Sequence, residues 1–227
     1  MIKVISKLGP GLLFAGAAIG VSHLVQSTRA GADFGFGLIW ALILVNLFKY
    51  PFFQYGPRYA IVTGESLLDG YYKIGKFFLI AYFVLNILTM FTIQTAVTIV
   101  TAGLASSLFS FTDNMVIWSS IITVLCYLIL LVGKYNLLDK MIKIIILILA
   151  ISTIFSTGIA SFNTEQTYSF EQIFPEGTGL VFLVAFMGWM PAPLDISIWH
   201  SIWTIEKTKS QKISKKDTLF DFNVGYI

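Results

Sequence analysis

Residues 185–197 read Ala185-Phe186-Met187-Gly188-Trp189-Met190-Pro191-Ala192-Pro193-Leu194-Asp195-Ile196-Ser197. The stretch starts as the middle of an apolar helix and is then interrupted by two prolines and a carboxylate. Proline removes an amide donor and frees a carbonyl about four residues back, which points to Met187. In a bilayer each unsatisfied backbone group costs several kcal/mol. A helix broken at that depth therefore survives where its freed groups line a cavity or hold something. A second apolar stretch is interrupted in the same way: Ala15-Gly16-Ala17-Ala18-Ile19-Gly20-Val21-Ser22-His23-Leu24-Val25-Gln26-Ser27-Thr28. Gly20, Pro191 and Pro193 mark the expected breaks. Paired broken helices are the sequence pointer to a transporter site near the bilayer midplane.

The composition around these stretches fits a membrane. The chain is 56% hydrophobic and 12% charged, against about 25% charged residues in soluble domains. Its mean hydropathy is +0.81. A helical span needs about 20 mostly apolar residues, and six segments qualify: 9–30, 37–62, 77–108, 115–133, 141–161 and 178–203. The second holds Lys49 and Pro51, which predicts a kinked or irregular helix. Residues 219–227 read as the start of a further span. The fold class is therefore an all-α polytopic membrane protein, with 1–227 as a single transmembrane domain. The start Met1-Ile2-Lys3 leads into a first span rather than a cleaved leader. Cys126 stands alone in an apolar run, which excludes an internal disulfide and predicts a small buried hydrophobe.

Basic residues set the orientation. With the N-terminus in the cytoplasm and the spans alternating, thirteen of the fifteen Lys and Arg fall inside: Lys3, Lys7, Arg58, Lys73, Lys76, Lys134, Lys140, Lys143 and five lysines between 207 and 216. Only Arg29 falls outside, and Lys49 lies within a span. This pattern meets the positive-inside rule and predicts a multi-pass protein of the plasma membrane. The loop 162–176 carries Glu165, Glu171 and Glu176 without a basic residue, as an external loop should.

Several side chains near the breaks have chemistry to offer. Asp195 is costly at depth, at least about 2.5–3.5 kcal/mol if charged. It reads either as a cation ligand and proton carrier or as an ion-pair partner of Lys49 or Arg58. His23 can ligate a transition metal or relay a proton, or it can cap a broken helix end. Ser22, Gln26, Ser27 and Thr28 offer oxygens for a cation or for neighbouring helices. Met190 supplies a soft thioether or simply packs. His200 lies on a proton path or at the interface. Asn86, Thr89, Thr92, Gln94, Thr95, Thr98 and Thr101 form a polar line on the third span, lining a water path or joining helices. Gly16 and Gly20 form a small-xxx-small pair, which predicts close helix packing. The sequence contains no zinc-protease signature, no phosphate-binding loop and no serine nucleophile elbow. An enzyme is not expected, and neither is a resident cofactor or a nucleic-acid partner.

The runs Gly9-Pro10-Gly11, Ala17-Ala18-Ile19-Gly20 and Ala30-Gly31-Ala32-Asp33-Phe34-Gly35 resemble the first helix of the Nramp (natural resistance-associated macrophage protein) family. Thr63-Gly64-Glu65-Ser66-Leu67 resembles the loop after its second helix, and Ala185–Pro191 with His200-Ser201 resembles its sixth. The resemblance implies a LeuT-type fold of two inverted five-helix repeats, of which this chain carries the first repeat and the sixth helix. A full family member has roughly eleven helices, so the chain is expected to be a truncated piece. The resemblance also implies a secondary transporter of divalent cations such as manganese or iron, with proton symport.

The sequence departs from the family where it matters most. The family's Asp-Pro-Gly-Asn at the first break is Gly20-Val21-Ser22-His23 here, and the His after its Met-Pro is Ala192. Matching the family residue by residue puts a carbonyl ligand on Met187 and a thioether on Met190, and Asp195 could restore the lost carboxylate. The expected site is thus Ser22, His23, Gln26, Met187, Met190 and Asp195, with His23, Met190 and Asp195 on the metal and Asp195 and His200 on the proton path. The alternatives are another small solute, or an inactive fragment.

Overall fold

The computed structural model describes residues 8–20, 22–163 and 169–227, and the side chains within them except those at 22, 134–136 and 163. Lys3, Lys7, Val21 and Glu165, and the side chain of Ser22, lie outside the described residues.

The first apolar segment is interrupted where its sequence turns polar. Helix α1 (Pro10–Ala18) has proline in its first turn, where the missing N–H has no partner to lose. A π-helical turn, Ser22–Gln26, leads into α2 (Ser27–Phe34). The two halves are bent by 43°. Helix α3 (Ile39–Thr63) runs as one helix through Pro51 and Pro57, so the irregularity expected at Pro51 produces no break. It stops at Gly64, whose φ of 74° is the left-handed conformation that glycine adopts without strain. There follow α4 (Leu67–Ile74), α5 (Lys76–Phe109), α6 (Met115–Asn163), α7 (Thr178–Trp189), α8 (Ile196–Ser210) and α9 (Lys215–Tyr226). No strand occurs among the described residues.

Six spans were expected, and the structure gives a more differentiated result. Lys76–Phe109, Met115–Gly133 and Leu137–Phe162 are long and apolar enough to cross a membrane. The bent pair at the start of the chain makes up to four. Helix α3, at 25 residues, has the length but not the apolarity, because Asn46, Lys49, Gln54 and Arg58 interrupt it. The sixth segment is split into α7, of 12 residues, and α8, of 15. Twelve residues rise only about 18 Å, short of a core about 30 Å thick. The fourth and fifth segments are joined in one 49-residue helix where a loop at 134–140 was expected. Between Gly133 and Met141 the sequence has no proline or glycine to stop a helix.

The chain divides into two compact units, Met1–Leu67 with Met141–Ile227, and Leu68–Lys140. In the first unit, α3 packs on α7, α8 and α9, and α1 packs on α8 and α9. One apolar cluster joins Ala30, Leu38, Ala41, Val45, Leu183, Phe186 and Met190. Another joins Phe14, Ala18, Phe53, Ala192 and Phe222. Residues 219–227, expected as the start of another span, lie largely in α9 (Lys215–Tyr226), a helix built into this core. Helix α9 opens with a capping box between Ser214 and Asp217. It buries Thr218, Asp221 and Phe222, and Tyr226 Oη donates to the carbonyl of Asn46 at 2.7 Å.

The described part of the 162–176 segment is pinned to the start of α3. Ile173 N–H donates to Gly37 O, Trp40 Nε1 donates to Ile173 O, and Phe36 stacks on Phe170. Gly37 permits this approach, since a Cβ there would lie 2.6 Å from the Ile173 side chain. Gly16 behaves as expected of a small packing residue: its Cβ would meet Ile142 at 2.8 Å. Gly20 meets nothing beyond its own turn.

The second unit exposes long apolar faces. None of the best apolar window of Lys76–Phe109 is buried. Soluble monomers rarely expose apolar patches beyond a few hundred Å², so lipid is the medium these faces suit. Cys126, expected buried, is exposed on this surface. The polar line on α5 is largely satisfied within the helix. Asn86 donates to Tyr82 Oη, Thr89 to Leu85 O, Gln94 to Thr98 Oγ1 and Thr101 to Val97 O.

Candidate functional site

The two interrupted segments lie alongside each other in opposite directions. Helix α1, the first half of one, packs on α8, the second half of the other, while the π-helical turn packs on α7. Each break therefore lies opposite the other, as an inverted pair of broken helices requires.

At the second break, α7 ends with Met190 in an extended conformation, its N–H bonded to Phe186 O at 3.0 Å. The chain resumes helical form at Ile196, and Asp195 is the N-cap without using its side chain as the cap. Asp195 is half-buried, and its main-chain carbonyl accepts from Ile198 and Trp199. The last carbonyls of a helix lack intrahelical partners. Here they are taken by Lys49 of α3, whose Nζ donates to Met187 O at 2.9 Å, Gly188 O at 2.8 Å and Met190 O at 2.7 Å. Lys49 thus pairs with backbone carbonyls rather than with Asp195, the carboxylate offered as its partner. Close packing of α3 on α8 holds this arrangement, since a Cβ on Gly56 would lie 2.3 Å from Ser197 O. The thioether of Met190 is fully buried in the first apolar cluster.

At the first break, His23 Nδ1 lies 2.5 Å from Ala18 O. A carbonyl only accepts, so Nδ1 carries the proton and the imidazole caps the end of α1. Of the three roles open to His23, the hydrogen bond to Ala18 O displays the cap. Thr28 is satisfied locally, donating to Leu24 O in the preceding π-helical turn. Gln26 differs from its neighbours: its Oε1 is buried with no hydrogen-bond partner among the described residues. Buried acceptors are normally satisfied, so this oxygen is chemically suited to accept from a donor or to ligate a cation. Arg29 is engaged over the Phe182 ring, 5.2 Å from its centroid.

His200 is fully buried, with both ring nitrogens unpartnered among the described residues. The rings of Phe14 and Phe222 lie 5.8 and 5.7 Å from it. It is packed inside the aromatic core, not at an interface. An unpartnered polar group in an apolar site destabilises by about 1–3 kcal/mol. His200→Leu is therefore expected to raise the unfolding temperature of the detergent-solubilised protein. A lowered temperature would show that the imidazole has a partner in solution.

Among the described residues no three of His, Cys, Asp and Glu lie together as a metal cluster. The expected set holds only two of these residue types, His23 and Asp195, and relies for the rest on sulfur, amide and carbonyl groups. Two contacts escaped the sequence reading. Lys49 was offered as an ion-pair partner, not as a cap on carbonyls. Asp221, which accepts from Gly9 N and Gly11 N at 2.8 Å each, was not singled out at all.

The family model described as natural resistance-associated macrophage protein-like matches residues 11–226. The chain belongs to the Nramp family. A curated relative, an uncharacterized protein of Pasteurella multocida (strain Pm70), is 40% identical over 227 residues, covering 98% of this chain and 52% of the relative. The chain therefore spans about half the length of the curated relative it matches. No solved structure matches it. Nramp membership brings the LeuT-type fold, in agreement with the all-helical structure and its opposed breaks. Nramp proteins are transporters of divalent metal ions rather than enzymes, and the apolar helices mark this one as a membrane protein.

Proposed function

We propose that this Nramp chain contributes the first repeat and the sixth helix of a secondary transporter. In this reading it moves a divalent cation, manganese- or iron-like, across the plasma membrane by alternating access, with protons as the coupling ion. The observation that carries the reading is Gln26 Oε1, a buried acceptor with no donor among the described residues, placed on the break that packs against α7. Its proposed companions are Ser22 and His23 from the first break, and the Met187 carbonyl, Met190 and Asp195 from the second. Asp195 and His200 would pass the proton. The excess of basic residues on alternate loops supports a cytoplasmic N-terminus.

Uptake of Mn²⁺ by cells expressing the full-length protein tests this reading. Gln26→Leu and Asp195→Ala are each expected to lower initial uptake at least about tenfold, the loss of one charged or polar ligand being worth about 1.5–3 kcal/mol. Membrane abundance should be unchanged. Wild-type rates in both variants would remove these residues from the site. Competition by a small carboxylate but not by Mn²⁺ would favour transport of a different solute.

A further inference from the structure

The least expected group at the second break is a cation that belongs to the protein itself. An ammonium has three donors, and all three donors of Lys49 are used: on Met187 O, Gly188 O and Met190 O, between 2.7 and 2.9 Å. A tripod of backbone carbonyls is also what replaces the hydration shell of a free cation in a membrane site. The negative end of the α7 dipole adds to its preference for positive charge. The carbonyl of Met187 thus has two claimants, the ammonium seen on it and the metal ion proposed above.

We propose that Lys49 is a tethered resident cation of the carbonyl cage, and that a metal ion reaches the Met187 carbonyl only by displacing it. The inference rests on the metal reading for its second half and on the geometry alone for its first. It makes Lys49 a specificity-determining residue. A cation must compete with a positive charge that is already bonded and is tethered to the site, so a weakly held ion is rejected. The long unbranched side chain pivots from α3, so it can leave the cage without moving the helix that carries it.

The test uses the full-length protein in lipid nanodiscs, as wild type, Lys49→Met and Lys49→Ala. Direct binding of Mn²⁺ is measured with and without methylammonium, together with thermal unfolding. With the ammonium gone, Mn²⁺ is expected to bind at least tenfold more tightly in both variants. Methylammonium is expected to raise the unfolding temperature of Lys49→Ala and to compete with Mn²⁺ there, with neither effect in wild type. Unchanged or weaker Mn²⁺ affinity in the folded variants overturns the competition. If no form binds Mn²⁺, the metal reading falls, and the methylammonium arm alone decides on Lys49. A rise in unfolding temperature confined to Lys49→Ala, and not reproduced by methanol as the neutral analogue of similar size, keeps the resident cation. No rise overturns it.

Discussion

Alanine at Gly225, or at Gly11, is expected to destabilise the folded protein by about 3 kcal/mol or more. Local propensity argues the other way, because alanine is the better helix former by about 1 kcal/mol. Sterics decide the sign. A Cβ on Gly225 would lie 1.9 Å from Gly11 O, and one on Gly11 would lie 1.9 Å from Asp221 O. Both obstacles are main chain, so no rotamer change can relieve them, and α9 would have to move off α1. That movement would open the aromatic contacts of Phe14 with Phe222 and Tyr226, at 6.0 and 5.7 Å. Thermal unfolding of the full-length protein in detergent checks this, with Gly103→Ala as the control. Gly103 has nothing within 4 Å of its hypothetical Cβ, so that change should be neutral or slightly stabilising. Equal stability of all three variants would mean that α1 and α9 do not pack as described.

This contact also shows where the sequence was legible. Gly9-Pro10-Gly11 was noticed as a family-like run, yet its physical reason lies more than two hundred residues away, in Asp221 and Gly225. The breaks themselves were readable because prolines, glycine and polar residues interrupt otherwise apolar runs, and the structure interrupts its helices at those places. The partners of the freed groups were not readable. Lys49 binds carbonyl oxygens, which every residue carries, so nothing in residues 187–190 announces an ammonium. Gln26 was named among several polar neighbours, but only burial separates it from Thr28, whose hydroxyl is already bonded. Cys126 was misjudged for a related reason. A lipid-facing surface is as apolar as a core, so composition cannot distinguish the two. The same ambiguity let the joined helix Met115–Asn163 read as two separate spans.

The second large effect is expected from Asp221. The first amides of a helix lack intrahelical partners, and α1 has no side-chain cap of its own at Gly9. Asp221 supplies the cap from another helix, Oδ1 accepting from Gly9 N and Oδ2 from Gly11 N at 2.8 Å each. The carboxylate is nearly inaccessible to solvent, with 3% of its residue surface exposed. Water is therefore poorly placed to replace it. Asp221→Ala leaves two buried amides unpaired and is expected to destabilise by about 3–5 kcal/mol, since hydrogen bonds to a charged group contribute about 1.5–3 kcal/mol each. Asp221→Asn discriminates between mechanisms. Its amide offers one acceptor and turns an NH₂ toward the other backbone N–H, so it should recover little of the loss despite an almost identical shape. It also loses the negative charge that favours the positive end of the α1 dipole. Asparagine nearly as damaging as alanine is the signature of a carboxylate used through both oxygens. An asparagine variant as stable as wild type would show that side-chain volume, rather than paired acceptance, holds α9 against α1.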